Sequence, residues 1–108
     1  MPYYLVQAAY TAEAWAAMVK NPQNRLDAVR PAIEKLGGKI VGGWLAFGKY
    51  DIVAVCEMPN NVSAAAFAMA GAAGGAVKAI KTTPLMTPEE GIEAAKKAAG
   101  AGYRPPGS

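Results

Sequence analysis

The run Ile52-Val53-Ala54-Val55-Cys56 constrains the fold more than any other stretch of the chain. Successive side chains of a strand point to opposite faces, so an unbroken apolar run is apolar on both. An antiparallel strand with one wet face alternates apolar and polar residues, and this one does not. Leu5-Val6 and Trp44-Leu45 repeat the pattern. At roughly 25 cal/mol per Å2, leaving several such side chains in water would forgo several kcal/mol. The sheet these strands build therefore needs cover on both sides.

Gly48-Lys49-Tyr50 alone separates a strand over residues 39–47 from one over residues 51–58, which predicts an antiparallel hairpin. Gly48 is expected to take positive φ in the turn. Asp51 is expected to accept backbone N–H bonds that fix the hairpin, and Tyr50 to cover an interface with its ring while its hydroxyl stays wet. Upstream, residues 3–9 read as a strand. Thr11 then caps a helix over 12–20, with Glu13 in its first turn. Asn21-Pro22 breaks that helix, and Asn21 is expected to cap a second over 22–36, where Leu26, Val29, Ile33 and Leu36 form one apolar stripe. Pro31 is expected to kink it and Gly37-Gly38 to end it.

Downstream, Pro59-Asn60-Asn61 is a turn and cap before an alanine-rich helix over 62–73 that carries Phe67 and Met69. Gly71, Gly74 and Gly75 invite a phosphate-loop reading. They follow a helix instead of opening one, however, so they read as its exit. A fourth strand spans 76–83. Thr87-Pro88-Glu89-Glu90 opens a last helix to about 99 with a hydroxyl cap, proline at the first position and glutamate at the third. The order is β-α-β-β-α-β plus a C-terminal helix: an α+β domain over residues 1–99, with one antiparallel sheet, both long helices on one face, and a flexible tail over 100–108. A second copy of the chain is the expected cover for the other face, with the C-terminal helix as the alternative.

The stretch Phe47-Gly48-Lys49-Tyr50-Asp51-Ile52-Val53-Ala54-Val55 resembles the defining motif of the GYD domain family, small and mostly bacterial proteins with a Gly-x-Tyr-Asp signature. Asn21-Pro22 with Arg25-Leu26, the exit Glu34-Lys35-Leu36-Gly37-Gly38-Lys39, and the helix Ala64-Ala65-Ala66-Phe67-Ala68 fit the same pattern. The resemblance implies a ferredoxin-like fold that packs through its sheet as an oligomer of the dimeric α/β barrel type, and it implies no established activity. A similar hairpin occurs in the ligand-sensing domains of Lrp/AsnC-type regulators, which sense amino acids at subunit interfaces. No helix-turn-helix precedes the domain here, so direct DNA binding is not expected. The wider superfamily also includes cofactor-free monooxygenases and small isomerases.

The chain contains no histidine, which removes the usual metal ligand, the usual general base near neutral pH and any Ser–His or Cys–His nucleophile pair. No metal or cofactor is expected. Eleven Lys and Arg against eight Asp and Glu give a net charge of +3, without the basic block of a nucleic-acid tail. No apolar run suits a membrane span and no signal peptide is read at the N-terminus. The single cysteine, Cys56, reads as a buried small side chain, which suits a cytoplasmic protein. Ser63 reads as a first-turn residue. Candidate ligand-binding residues are Tyr50, Asp51, Trp44, Glu57, Lys78 and Tyr4. Trp15 and Trp44 read as core or interface, or else Trp44, Tyr4 and Phe47 wall a small apolar pocket. Glu57 and Lys78 would lie side by side and pair, or hold a carboxylate or amine. The expected function is a homo-oligomeric module that binds a small organic ligand at a subunit interface or acts as an assembly or regulatory scaffold. The alternative is a cofactor-independent monooxygenase or isomerase on a small hydrophobic substrate.

Overall fold

Side-chain caps set where the helices begin. Thr11 Oγ1 accepts from the Ala14 N–H at 3.1 Å and opens α1 (Ala12–Lys20). Asn24 Oδ1 accepts from the N–H groups of Leu26 and Asp27 and opens α2 (Arg25–Lys35). Asn60 Oδ1 accepts from Ser63 N–H and opens α3 (Asn61–Ala73). Thr87 and Glu90 form a reciprocal capping box at the start of α4 (Pro88–Ala99). These elements belong to a computed structural model, which describes residues 1–107. The cap expected at Asn21 is corrected: Asn21 ends α1, donating to Ala17 O, and Asn24 takes the capping role because its carboxamide reaches two orphan donors at once. Pro31 lies within α2. Gly37, at φ 86°, ends that helix in the left-handed conformation expected of it.

The strands are β1 (Tyr3–Tyr10), β2 (Lys39–Leu45), β3 (Ile52–Glu57) and β4 (Val77–Leu85). They form one antiparallel sheet in the order β2-β3-β1-β4, the ferredoxin-like arrangement. β2 and β3 join through residues 46–51, closed by Ala46 N–H to Asp51 O at 2.7 Å, so the hairpin loop is longer than expected. Phe47 is fully exposed in it. Gly48 does not take positive φ, which corrects the expected turn. β2 carries a bulge at Val41, where the register steps from Ile40↔Cys56 to Gly42↔Val55.

Register assigns the faces. Tyr4, Cys56 and Ile40 lie in one cross-strand row under α2 and α3, and with Ile33, Ala54, Met58 and Ala64 they make the buried core. The alternate residues point away. Leu85, Tyr3, Glu57 and Lys39 form the first row of that other face, Thr83, Leu5, Val55 and Gly42 the second, and Lys81, Gln7, Val53 and Trp44 the third. Both faces carry apolar residues, as the run over 52–56 requires. The helices cover one. α4 does not cover the other: it has no buried residue and makes no substantial packing with any element. The chain measures 58 × 33 × 22 Å with a radius of gyration of 17.3 Å, against roughly 13 Å for a compact domain of this length. Residues 100–107 form no helix or strand and are exposed.

Close approaches explain two glycines. A Cβ on Gly38 would stand 2.6 Å from Glu57 O, and one on Gly43 would stand 2.7 Å from Leu26 Cδ2. The backbone of β2 thus passes directly under α2.

Candidate functional site

Small side chains on three walls leave the space between the helices and the sheet unfilled. Ala8 and Ala54 floor it, Ala28 and Ala32 face it from α2, and Ala70 and Gly71 from α3. Side chains of this size do not reach across the roughly 10 Å that separates packed layers. The result is an apolar hollow of about 330 Å3, closed at its sides by Val6, Tyr10, Ile33, Phe67 and Ile80. Its volume lies at the lower end of the range of small-molecule pockets.

A second space, a cleft of about 430 Å3, lies at the β2 edge beneath the link between α1 and α2. Trp15, Met18, Pro22, Trp44 and Leu45 line it. Arg25, Leu26 and Ile52 line both spaces, so cleft and hollow share a wall. Trp15 is held by an edge-to-face contact with Tyr10, ring centroids 5.6 Å apart at 86°. Tyr10 in turn belongs to the hollow, so the two aromatic rings tie the α1 side of the cleft to the end of β1.

Arg25 is the one charged side chain lining either space among the described residues. It stands at the first position of α2 and donates through Nη1 to Gln23 Oε1 at 3.2 Å. Its guanidinium has no carboxylate partner among the described residues, where the only ion pair is Arg30 with Asp27 at 3.9 Å.

Of the residues singled out from sequence, Trp44 reaches this region, as part of the cleft wall. Its ring folds back over Gly42, whose hydrogen leaves room for it at 3.3 Å from a built Cβ. Asp51 lies at the base of the hairpin. Its Oδ2 accepts Tyr10 N–H at 2.9 Å, and its own N–H donates to Ala8 O at 2.8 Å. The carboxylate thereby continues the β3-facing edge of β1 past the Ala8↔Ile52 pair: it accepts a backbone N–H as expected, but from β1 and not from within the hairpin. Tyr50 is half-buried, with Lys49 Nζ 6.0 Å from its ring centre.

Tyr4 is a core residue, and its hydroxyl donates to Asn61 Oδ1 at 2.5 Å. The pocket expected from Trp44, Tyr4 and Phe47 is not formed: Tyr4 faces the helices, Trp44 faces the other side of the sheet, and Phe47 projects from the loop. The expected pairing of Glu57 with Lys78 is likewise corrected. Glu57 stands opposite Tyr3 and Lys39 at one end of the sheet, while Lys78 lies at the far end of β4, beside the Tyr10↔Val77 pair. β4 and β3 are separated by β1. Hydrogen bonding to Glu57, together with its negative charge, holds the Tyr3 phenol above its ordinary pKa.

Cys56 is buried as expected, and burial pushes its thiol pKa up. Arg25, Leu26 and Trp15 are not among the ligand-binding candidates of the sequence. Arg25-Leu26 was legible as a pair just after a helix break, but nothing local showed that the pair would stand over small residues of the sheet. No group of His, Cys, Asp or Glu suited to hold a metal occurs among the described residues. No helix there is long and apolar enough to cross a membrane.

No curated protein and no solved structure matches the chain. The family model for the GYD domain matches residues 4–95, from β1 through the first two thirds of α4. Together with the β2-β3-β1-β4 sheet and the hairpin that carries Gly48, Tyr50 and Asp51, the match makes this chain a member of the GYD domain family.

Proposed function

We propose that this chain is a binding module for a small, largely apolar organic molecule, held in the hollow and the adjoining cleft, and that it works as a homo-oligomer paired through the open face of its sheet. The observation that carries the reading is the 330 Å3 apolar space left by small residues on three walls. The space is open to water along part of its wall, and apolar walls left wet gain when an apolar molecule covers them.

The open face supports the oligomer. Leu5, Val53, Val55 and the Trp44 ring lie together on it, and no element of the same chain covers them. Trp44 belongs both to this face and to the cleft, so a partner seated on the face would border the mouth of the site. The expected placement at a subunit seam thus becomes a site within one subunit with a neighbour at its entrance. A buried free thiol and a chain without disulfides suit a cytoplasmic setting.

Binding is favoured over catalysis because a cofactor-free oxygenase or isomerase needs a proton acceptor at the substrate. No carboxylate lines the hollow or the cleft among the described residues. Asp51 is engaged with the β1 backbone, and Glu57 lies on the open face.

Native mass spectrometry of freshly purified protein, followed by denaturing identification of what is released, tests the reading. The expected result is a small apolar organic molecule bound to the native chain. Ala54→Leu, which projects into the hollow, is expected to fold and to lose that molecule. A folded Ala54→Leu protein that retains it undiminished would place the ligand elsewhere.

A further inference from the structure

The hollow and the cleft carry one charged side chain between them, and it stands on the wall they share. We infer that the ligand is a small organic anion, a monocarboxylate with an apolar body, whose tail lies in the hollow and whose carboxylate is received by Arg25. The inference rests on reading the hollow and the cleft as one ligand site, and it adds the chemical class of the ligand.

Three observations carry it. Arg25 is the single charged side chain lining either space among the described residues, and no acidic side chain lines them to neutralise it. Its hydrogen bond to Gln23 Oε1 uses one of five N–H donors, and the planar fork of the others matches a carboxylate. Leu26, Ile52 and Trp15 line the same spaces and offer apolar surface to the body of such a ligand. One guanidinium suits a single negative charge.

Octanoate and octan-1-ol make the test, because they share a tail and differ in the group that would meet Arg25. Each is titrated into the full chain freed of co-purified ligand, following Trp15 and Trp44 fluorescence with calorimetry for affinity. From water into a purely apolar pocket the alcohol should bind better, so a preference for octanoate is diagnostic. Octanoate is expected to bind at least roughly tenfold more tightly than octan-1-ol. Arg25→Gln is expected to weaken octanoate roughly ten- to a hundredfold while leaving octan-1-ol unchanged, with Arg25→Lys intermediate. Octan-1-ol binding the wild-type chain as tightly as octanoate, or Arg25→Gln weakening both equally, overturns the anion and leaves the apolar site standing. Failure of both compounds to bind or to move the tryptophan emission overturns the site, and the anion with it.

Discussion

Asp51 shows how one carboxylate can be a motif residue without being a reactive one. Pairing of β1 with β3 ends at Ala8↔Ile52, and Asp51 Oδ2 takes the next N–H along that edge, that of Tyr10, at 2.9 Å. An amide oxygen in the same place would serve nearly as well, whereas a methyl group would leave a buried donor unpaired. Asp51→Asn is therefore expected to cost less than about 1 kcal/mol and Asp51→Ala about 1–3 kcal/mol, read by urea denaturation. Equal losses for both would show that the charge itself matters. That Asp51 would accept a backbone N–H was legible from its residue type, but its partner on β1, 41 residues away, was not. The role of Tyr4 was not legible either. From sequence it reads as the wall of an apolar pocket, whereas its place in the core depends on Asn61, far along the sequence, accepting its hydroxyl.

Cys56 carries a pH prediction of its own. Burial disfavours the thiolate, so the folded state holds the proton more tightly than the unfolded chain does. Folded-state stability from this group is complete below the ordinary thiol pKa and is lost as pH rises past it. Denaturation midpoints are expected to fall as pH climbs above about 9. Cys56→Ala should be less stable at neutral pH and show a flatter decline. A decline of equal slope in both proteins would assign it to other groups.

At the scale of elements, caps were the most readable feature and their absence of tertiary context the commonest source of error. Thr11, Asn60 and Thr87 cap where their local sequence says, because an N-cap needs only the next three residues. Asn21 failed against Asn24 since both precede acceptable helices and only the fold decides between them. The hollow was not legible at all. Alanine and glycine on α3 read as helix formers and exit, alanines in β1 and β3 as strand core, and the empty space exists only where these elements meet.

The same scale holds a prediction for α4. Its capping box and its charge order, Glu89 and Glu90 early with Lys96 and Lys97 late, favour a helix. Yet it has twelve residues and no packing of its own, and isolated helices shorter than about 12–15 residues are marginal in water. Ile92, 59% exposed, marks an apolar face left unused within the chain. If a second copy supplies the missing surface, amide protection in α4 should rise with protein concentration while that in β1 and β3 stays constant. Protection in α4 that is independent of concentration would separate this helix from the oligomer.

The whole molecule turns on the open sheet face, where the energetic argument is simplest. Leu5 stands near its centre, flanked in register by Val55 and Thr83, with Val53 and Trp44 in the next row. In an isolated chain a lysine at this position would extend into water and its stem would cover some of the same surface, so Leu5→Lys should change stability little. In a sheet-paired oligomer the same lysine would bring a charge into a closed apolar layer, opposite its own copy if the pairing is two-fold. Sedimentation at micromolar concentration is therefore expected to give a multiple of the 11.1 kDa chain for the wild type and the single-chain mass for Leu5→Lys. The hollow lies on the opposite face of the sheet, so a folded Leu5→Lys monomer should still bind the ligand, with an affinity change confined to what the partner contributes at the mouth beside Trp44. A wild-type chain that sediments as a monomer would remove the pairing. The helix-side hollow would then have to account for ligand binding alone.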